Sequence, residues 1–123
     1  AMDYNFLNAE EEAKIREKYA AFEEDPCLID LLSSIFKVLG DPTRLKIIYL
    51  LSLSPLCVND ISDLLGMSQS SISHQLSLVK KKKLIKSERD GRRNIYSLDD
   101  DHVLSLFYQG YDHARHRKNE KDD

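Results

Sequence analysis

A chain of 123 residues, 41% of them hydrophobic and 32% charged, has the composition of one soluble globular domain. No apolar run approaches a membrane span, and the start lacks the basic-then-apolar pattern of a signal peptide; Ala1 before Met2 reads as a residue left by a vector. The net charge of −3 argues superficially against a nucleic-acid partner, and two cysteines, Cys27 and Cys57, exclude a disulfide framework and make a reducing cytoplasm the expected location.

The elements follow in chain order. "NAEEEAKIREKYAAFEED" is rich in helix formers, opens on Asn8 as a cap and is stopped by Pro26. "CLIDLLSSIFKVL" carries apolar residues at helical spacing and ends at Gly40. "DPTRLKIIYLLSL" starts a new helix, with Asp41 as N-cap and Pro42 at the first position; Pro55 breaks it. "VNDISDLLG" is a short amphipathic helix closed by Gly66. In "MSQSSISHQLSLVKKKKLI", Ser68 caps a helix that buries Ile72, Leu76 and Val79 and presents small polar residues elsewhere. The period then changes to two: "LIKSERDGRRNIYSL" has strand-forming arms around Asp90-Gly91, a two-residue hairpin signal. From about Asp99 to Arg117 the chain is helical again.

The charge is segregated. Residues 1–30 carry nine acids against Lys14, Arg16 and Lys18, a balance of −6, whereas residues 68–96 carry eight bases against Glu88 and Asp90, a balance of +6. A helix, a tight turn, a polar-faced second helix and a basic hairpin form the winged helix-turn-helix plan. The expected fold is mostly α with a β-hairpin wing, forming a homodimer with antiparallel C-terminal helices. One domain, residues 1–123, divides into N-terminal helices (8–40), a helix-turn-helix (57–82), a wing (84–98) and a C-terminal metal-binding dimer helix (99–117). Ser68, Gln69, Ser70, Ser71, Ser73 and His74 have the small donors and acceptors that read base edges in a major groove. Arg89, Arg92 and Arg93 at the hairpin tip suit phosphates, so the expected partner is double-stranded DNA, with no membrane and no small organic substrate. The Lys80–Lys83 run is both a solvated helix end and a phosphate contact.

Three of the four histidines, His102, His113 and His116, share the closing segment with Asp100. Singly each has a structural explanation; Ser97-x-x-Asp100, for example, fits a helix-capping box. Together they are the imidazole and carboxylate ligands that Zn(II) prefers. His113 and His116, three apart, share a helix face. His102 and His113, eleven apart, are separated by roughly 16 Å along a helix, too far for one ion with metal–nitrogen bonds of about 2 Å. Eleven residues at about 100° each nevertheless return nearly to one face. Two antiparallel copies would bring Asp100 and His102 of one beside His113 and His116 of the other, so the ligands are expected as half-sites completed in a dimer.

With these residues in view, roughly residues 28–117 resemble the ArsR/SmtB family of metal-sensing transcriptional repressors. "FKVLGDPTRLKII", "SQSSISHQL", "RDGRRNIYSL" and the closing D-x-H and H-x-x-H pairs carry the resemblance. The ligand spacing is most similar to that of the CzrA-type zinc and cobalt sensors. The resemblance implies a homodimeric repressor that releases its operator on binding Zn(II), with Co(II) as the alternative ion, and so controls metal efflux or resistance genes. A thiophilic branch of the family uses Cys-Val-Cys; here "LCVND" places Asn59 at the second thiol. Cys57 and Asp60 match part of a second metal site in some relatives, which implies a candidate second site. The alternatives are a thiol- or redox-sensing regulator, or one for Cd, Pb or As, using Cys57. A zinc hydrolase is not expected, because four protein ligands leave no open coordination position.

Overall fold

The computed structural model describes residues 5–121, and the chain divides into two compact units, one up to Phe36 and one from Lys37 onward. In the first unit, α1 (Ala9–Glu23) opens on a reciprocal cap: Asn8 Oδ1 accepts the Glu11 N–H at 2.8 Å, and Glu11 Oε1 accepts the Asn8 N–H at 3.1 Å. Arg16–Glu12 and Lys14–Glu10 pairs brace its exposed surface. Helix α2 (Pro26–Leu39) begins with proline at its first position and Asp25 capping the Leu28 N–H at 3.0 Å. Leu28, Leu31, Leu32 and Phe36 of α2 fall at helical spacing and remain exposed.

The second unit holds the core. Helix α3 (Pro42–Leu53) is capped by Asp41, whose Oδ2 accepts the Arg44 N–H at 3.1 Å. It buries Ile47, Ile48 and Leu51. Strand β1 (Leu56–Cys57) leads directly into α4 (Val58–Leu65), and Gly66 follows with φ of 65°, the left-handed conformation that glycine adopts without steric cost. The Met67 N–H returns to the Ser62 carbonyl at 3.1 Å and closes the turn into α5 (Gln69–Lys81). Ile72, Leu76 and Val79 of α5 are fully buried with Ile61 of α4 and Ile47 and Ile48 of α3. Each such side chain contributes about 1.5–3 kcal/mol by leaving water, so this one face fixes the pose of α5.

Strands β2 (Ile85–Asp90) and β3 (Arg93–Leu98) form the wing as an antiparallel hairpin. The expected turn at Asp90-Gly91 is shifted by one residue: Asp90 pairs with Arg93, so Gly91-Arg92 is the loop, with φ of 62° at Gly91. Strand β1 was not expected. It pairs through Leu56 with Tyr96 and through Cys57 with Ile95, making β3 the central strand of the order β1-β3-β2. Its two residues are too few to leave a periodic signal. Helix α6 (Asp101–Lys121) runs unbroken four residues beyond the expected end. Among the described residues no helix is long and apolar enough to cross a membrane.

Helix α5 ends in a Schellman motif. The Lys83 N–H bonds to the Lys80 carbonyl at 2.9 Å, and the Leu84 N–H reaches the Val79 carbonyl at 3.4 Å. Lys83 sits at φ 57°, the one non-glycine residue at positive φ among those described. A side chain there costs about 1–2 kcal/mol, part of which the unfolded-state entropy of glycine would offset. Lys83→Gly should therefore raise unfolding stability by roughly 1 kcal/mol, and Lys83→Val should lower it. Urea unfolding of both variants measures the sign.

Candidate nucleic-acid interface and histidine helix

The face of α5 opposite its buried stripe presents Gln69, Ser70, Ser73, His74 and Ser77, all exposed. Ser68 and Ser71 are bound into the helix start: Ser68 Oγ accepts the Ser71 N–H at 3.2 Å and lies 3.4 Å from Ser70 Oγ. Ser71 is half-buried, so its side chain stands less open than its neighbours. The brace on the buried side was not legible in the sequence. Arg44 of α3 donates from Nε to the Val38 carbonyl and from Nη1 to Gln75 Oε1 of α5 at 3.1 Å. One guanidinium thus ties the α3 entry to the polar helix.

At the wing tip Arg89, Arg92 and Arg93 are exposed. Arg89 Nε donates to the Gly91 carbonyl at 3.2 Å, and Arg93 lies 3.4 Å from Asp90 Oδ2. An exposed pair of this kind is worth about 0–1 kcal/mol, so it exchanges readily for a stronger anion. Arg92 has no hydrogen bond or ion pair among the described residues. Lys80 Nζ donates to Ser87 Oγ at 2.7 Å and joins the end of α5 to the wing.

Cys57 and Asp60 meet at the start of α4. The thiol and the backbone N–H of Cys57 each approach Asp60 Oδ2 at 3.1 Å. The thiol bond, and then the backbone bond, hold the Asp60 carboxyl below the usual carboxylate range. Cys57 is 6% exposed and Asp60 is open to solvent. Cys27 is exposed.

Asp100 precedes α6 and caps it, with Oδ1 accepting the His102 N–H at 2.9 Å and the Val103 N–H at 3.2 Å. The expected capping box from Ser97 does not form, because Ser97 is paired with Lys86 inside β3. Oδ2 of Asp100 stands 3.5 Å from His102 Nδ1, and that imidazole is 97% exposed. Capping therefore occupies one carboxylate oxygen and leaves the other beside the first histidine. His113 and His116 lie exposed toward the far end of α6, one turn apart. The structure brings Asp100 to His102 and places His113 near His116, but the two pairs stay apart along the helix. Among the described residues no group of three or more His, Cys, Asp or Glu side chains comes together to hold a metal.

An aromatic cluster seats α6. Tyr49 of α3 stacks on Tyr111 with centroids 6.0 Å apart and lies 6.1 Å from Phe107, while Val103 is buried. These residues position the histidines, and the i, i+4 spacing of Phe107 and Tyr111 was the signal available for them in the sequence.

A polar-faced helix held by a buried stripe and followed by a basic hairpin defines a winged helix-turn-helix fold. The family model described as "Bacterial regulatory protein, arsR family" matches residues 41–87. The chain is 40% identical over 85 residues to the cadmium resistance transcriptional regulatory protein CadC homolog of Staphylococcus aureus, covering 68% of this chain and 70% of that one. It is 38% identical over 84 residues to a transcriptional repressor SmtB homolog of Synechocystis, covering 68% of this chain and 64% of that protein. The solution structure of a homodimeric winged helix-turn-helix domain from Mycobacterium bovis superposes with a TM-score of 0.72 at 27% identity, over 74% of this chain and 84% of that one. The chain belongs to the arsR family of bacterial regulatory proteins.

The Asp100 carboxyl is held below its ordinary range, chiefly by the Val103 N–H, with His102 adding to the effect. A depressed folded-state pKa contributes stability that is complete above the unfolded value and lost as pH falls through the folded one. Asp100→Asn keeps a capping side chain but cannot titrate, so thermal stability should fall less steeply below pH about 5 than in the unmodified chain. Asp60 retains its own acid dependence, so the slope should shrink rather than vanish. An unchanged acid limb in melts followed by circular dichroism would show that Asp100 contributes nothing to it.

Proposed function

We propose that this protein is a dimeric, metal-responsive repressor that binds operator DNA through α5 and the wing and releases it on binding Zn(II), with Co(II) as the alternative ion. The observation that carries the metal reading is the division of ligands along one unbroken helix. Asp100 and His102 stand together at one end and His113 and His116 at the other, roughly 16 Å along. An antiparallel partner completes each half with the opposite half, giving two sites of three imidazoles and one carboxylate. That donor set suits a closed tetrahedral zinc site, and Oδ2 of Asp100, which the cap does not use, is the oxygen that would ligate. The ion supplies a link between protomers, and release of DNA follows as coupling between two binding events. The relatives named as an SmtB-homologous repressor and a cadmium resistance regulator support both DNA binding and a metal signal.

The DNA-facing residues follow from the same reading: Gln69, Ser70, Ser73 and His74 toward base edges, Ser68 and Ser71 holding the helix start, and Arg89, Arg92 and Arg93 on phosphates. Replacing both Arg92 and Arg93 with alanine should weaken binding to every duplex and lower the salt slope by roughly two. An unchanged slope would remove the wing from the interface.

A second reading is favoured by one observation, the Cys57 Sγ to Asp60 Oδ2 approach of 3.1 Å, which places a thiol and a carboxylate together for a softer ion such as Cd(II). Titration with Zn(II), Co(II), Ni(II) and Cd(II) separates the two. A sulfur-to-metal charge-transfer band lost in Cys57→Ser marks the thiol site; metal-driven DNA release lost in His113→Ala marks the histidine site.

The spanning arrangement has its own test. One chain carries Asp100→Ala and His102→Ala, the other His113→Ala and His116→Ala. Neither homodimer retains a complete site, whereas the mixed dimer regains about one zinc, against about two for the unmodified dimer. A folded mixed dimer that binds no zinc tightly would exclude sites shared between subunits.

A further inference from the structure

A cleft of about 410 Å³ opens between the C-terminal half of α5 and the wing, lined by Ser73, Ser77, Lys80, Lys81 and Tyr96. Its lining supplies two ammonium groups and three hydroxyls and no carboxylate. Strand alternation turns Glu88, the acid next to Ser87, toward the opposite face of the hairpin. The hydroxyls of Ser73, Ser77 and Tyr96 have no hydrogen-bond partner among the described residues. Tyr96 is half-buried and lines the cleft, so its hydroxyl is open to a group entering it.

Two of these groups are held before any ligand arrives. Tyr96 lies on the central strand, paired with Leu56 on one side and Ser87 on the other, so its backbone is fixed in the sheet. Ser87 accepts from Lys80 Nζ at 2.7 Å and ties that ammonium to the wing. A concave arrangement of donors with a net positive charge and no competing acid selects an anion.

We propose that this cleft seats a backbone phosphate of duplex DNA, with Tyr96 as the neutral donor and Lys80 and Lys81 as the charged ones. The proposal rests on the DNA-binding reading above and deepens it. The cleft lies between the helix assigned to the major groove and the wing, where a strand leaving the groove would pass. A phosphate here contacts helix and wing at once and fixes the register of both, whatever the base sequence.

The test uses the full chain and a fluorescently labelled duplex of random sequence, with anisotropy followed over a range of salt. Tyr96→Phe keeps the ring and removes one neutral donor, so affinity should fall roughly tenfold with the salt slope unchanged. Lys80→Gln with Lys81→Gln should lower the slope by roughly two. The lysines are solvent-facing, so this pair carries the test if the tyrosine variant proves unstable in a thermal melt. If both variants bind as the unmodified chain does while Arg92→Ala with Arg93→Ala loses affinity, the wing touches DNA and the cleft proposal is overturned. An unmodified chain that binds no duplex at all overturns the DNA-binding reading, and this proposal with it. Saturable binding of inorganic phosphate that depends on Tyr96, without any effect of Tyr96→Phe on DNA, would assign the seat to a free anion and overturn the DNA source.

Discussion

The buried stripe of α5 is the contact on which the rest of the second unit depends. Ile72, Leu76 and Val79 are fully enclosed with Ile47, Ile48 and Ile61, and a close-packed interior of this kind resists rotation as well as displacement. Because the stripe is one-sided, burying it determines which residues are left outside. Gln69, Ser70, Ser73 and His74 are exposed for the same reason that Ile72 and Leu76 are not. The Arg44–Gln75 bond and the Schellman ending at Lys83 then limit sliding along the axis, so a helix of thirteen residues is presented with one defined face.

The wing inherits its position from that packing. Leu84 and Ile85 are buried immediately after α5, which leaves the hairpin no independent hinge at its base. Strand β1 adds a second ladder and makes β3 central, so Tyr96 and Ile95 are held from both sides while Arg92 at the loop is free. The hairpin thus combines a base fixed by the core with a tip whose arginines are exposed. The acids are concentrated elsewhere, in residues 1–30, so the basic surface is not neutralised within its own segment.

Asp100 shows how a structural and a functional reading can describe one side chain. Its Oδ1 satisfies two backbone N–H groups at the start of α6, and this alone would justify an acid at that position. The same bonds fix the rotamer and leave Oδ2 beside His102. In the proposed metal site, a carboxylate whose orientation is already set by a cap would lose less side-chain freedom on binding an ion than a free one. The aromatic packing of Tyr49 with Phe107 and Tyr111 performs the corresponding service for the helix as a whole.

Local chemistry was legible in the sequence because its causes are local. Caps at Asn8, Asp41 and Ser68, the glycine at residue 66, the buried spacing of Ile72, Leu76 and Val79, and the change to period two at the wing each depend on neighbours within a few residues. The same holds for the charge segregation and for the placement of the histidines on a single helix. Tertiary structure decided what those causes cannot reach. The two-residue β1 exists only because β3 offers it a partner, and Ser97 was unavailable as a cap because the ladder had already claimed it. The Arg44–Gln75 brace joins residues 31 positions apart, and the cleft beneath Tyr96 is made by a helix end and a strand that meet only after the core closes. Periodicity records which way a side chain faces along its own element; which atoms it then meets is set by the burial of apolar area across elements.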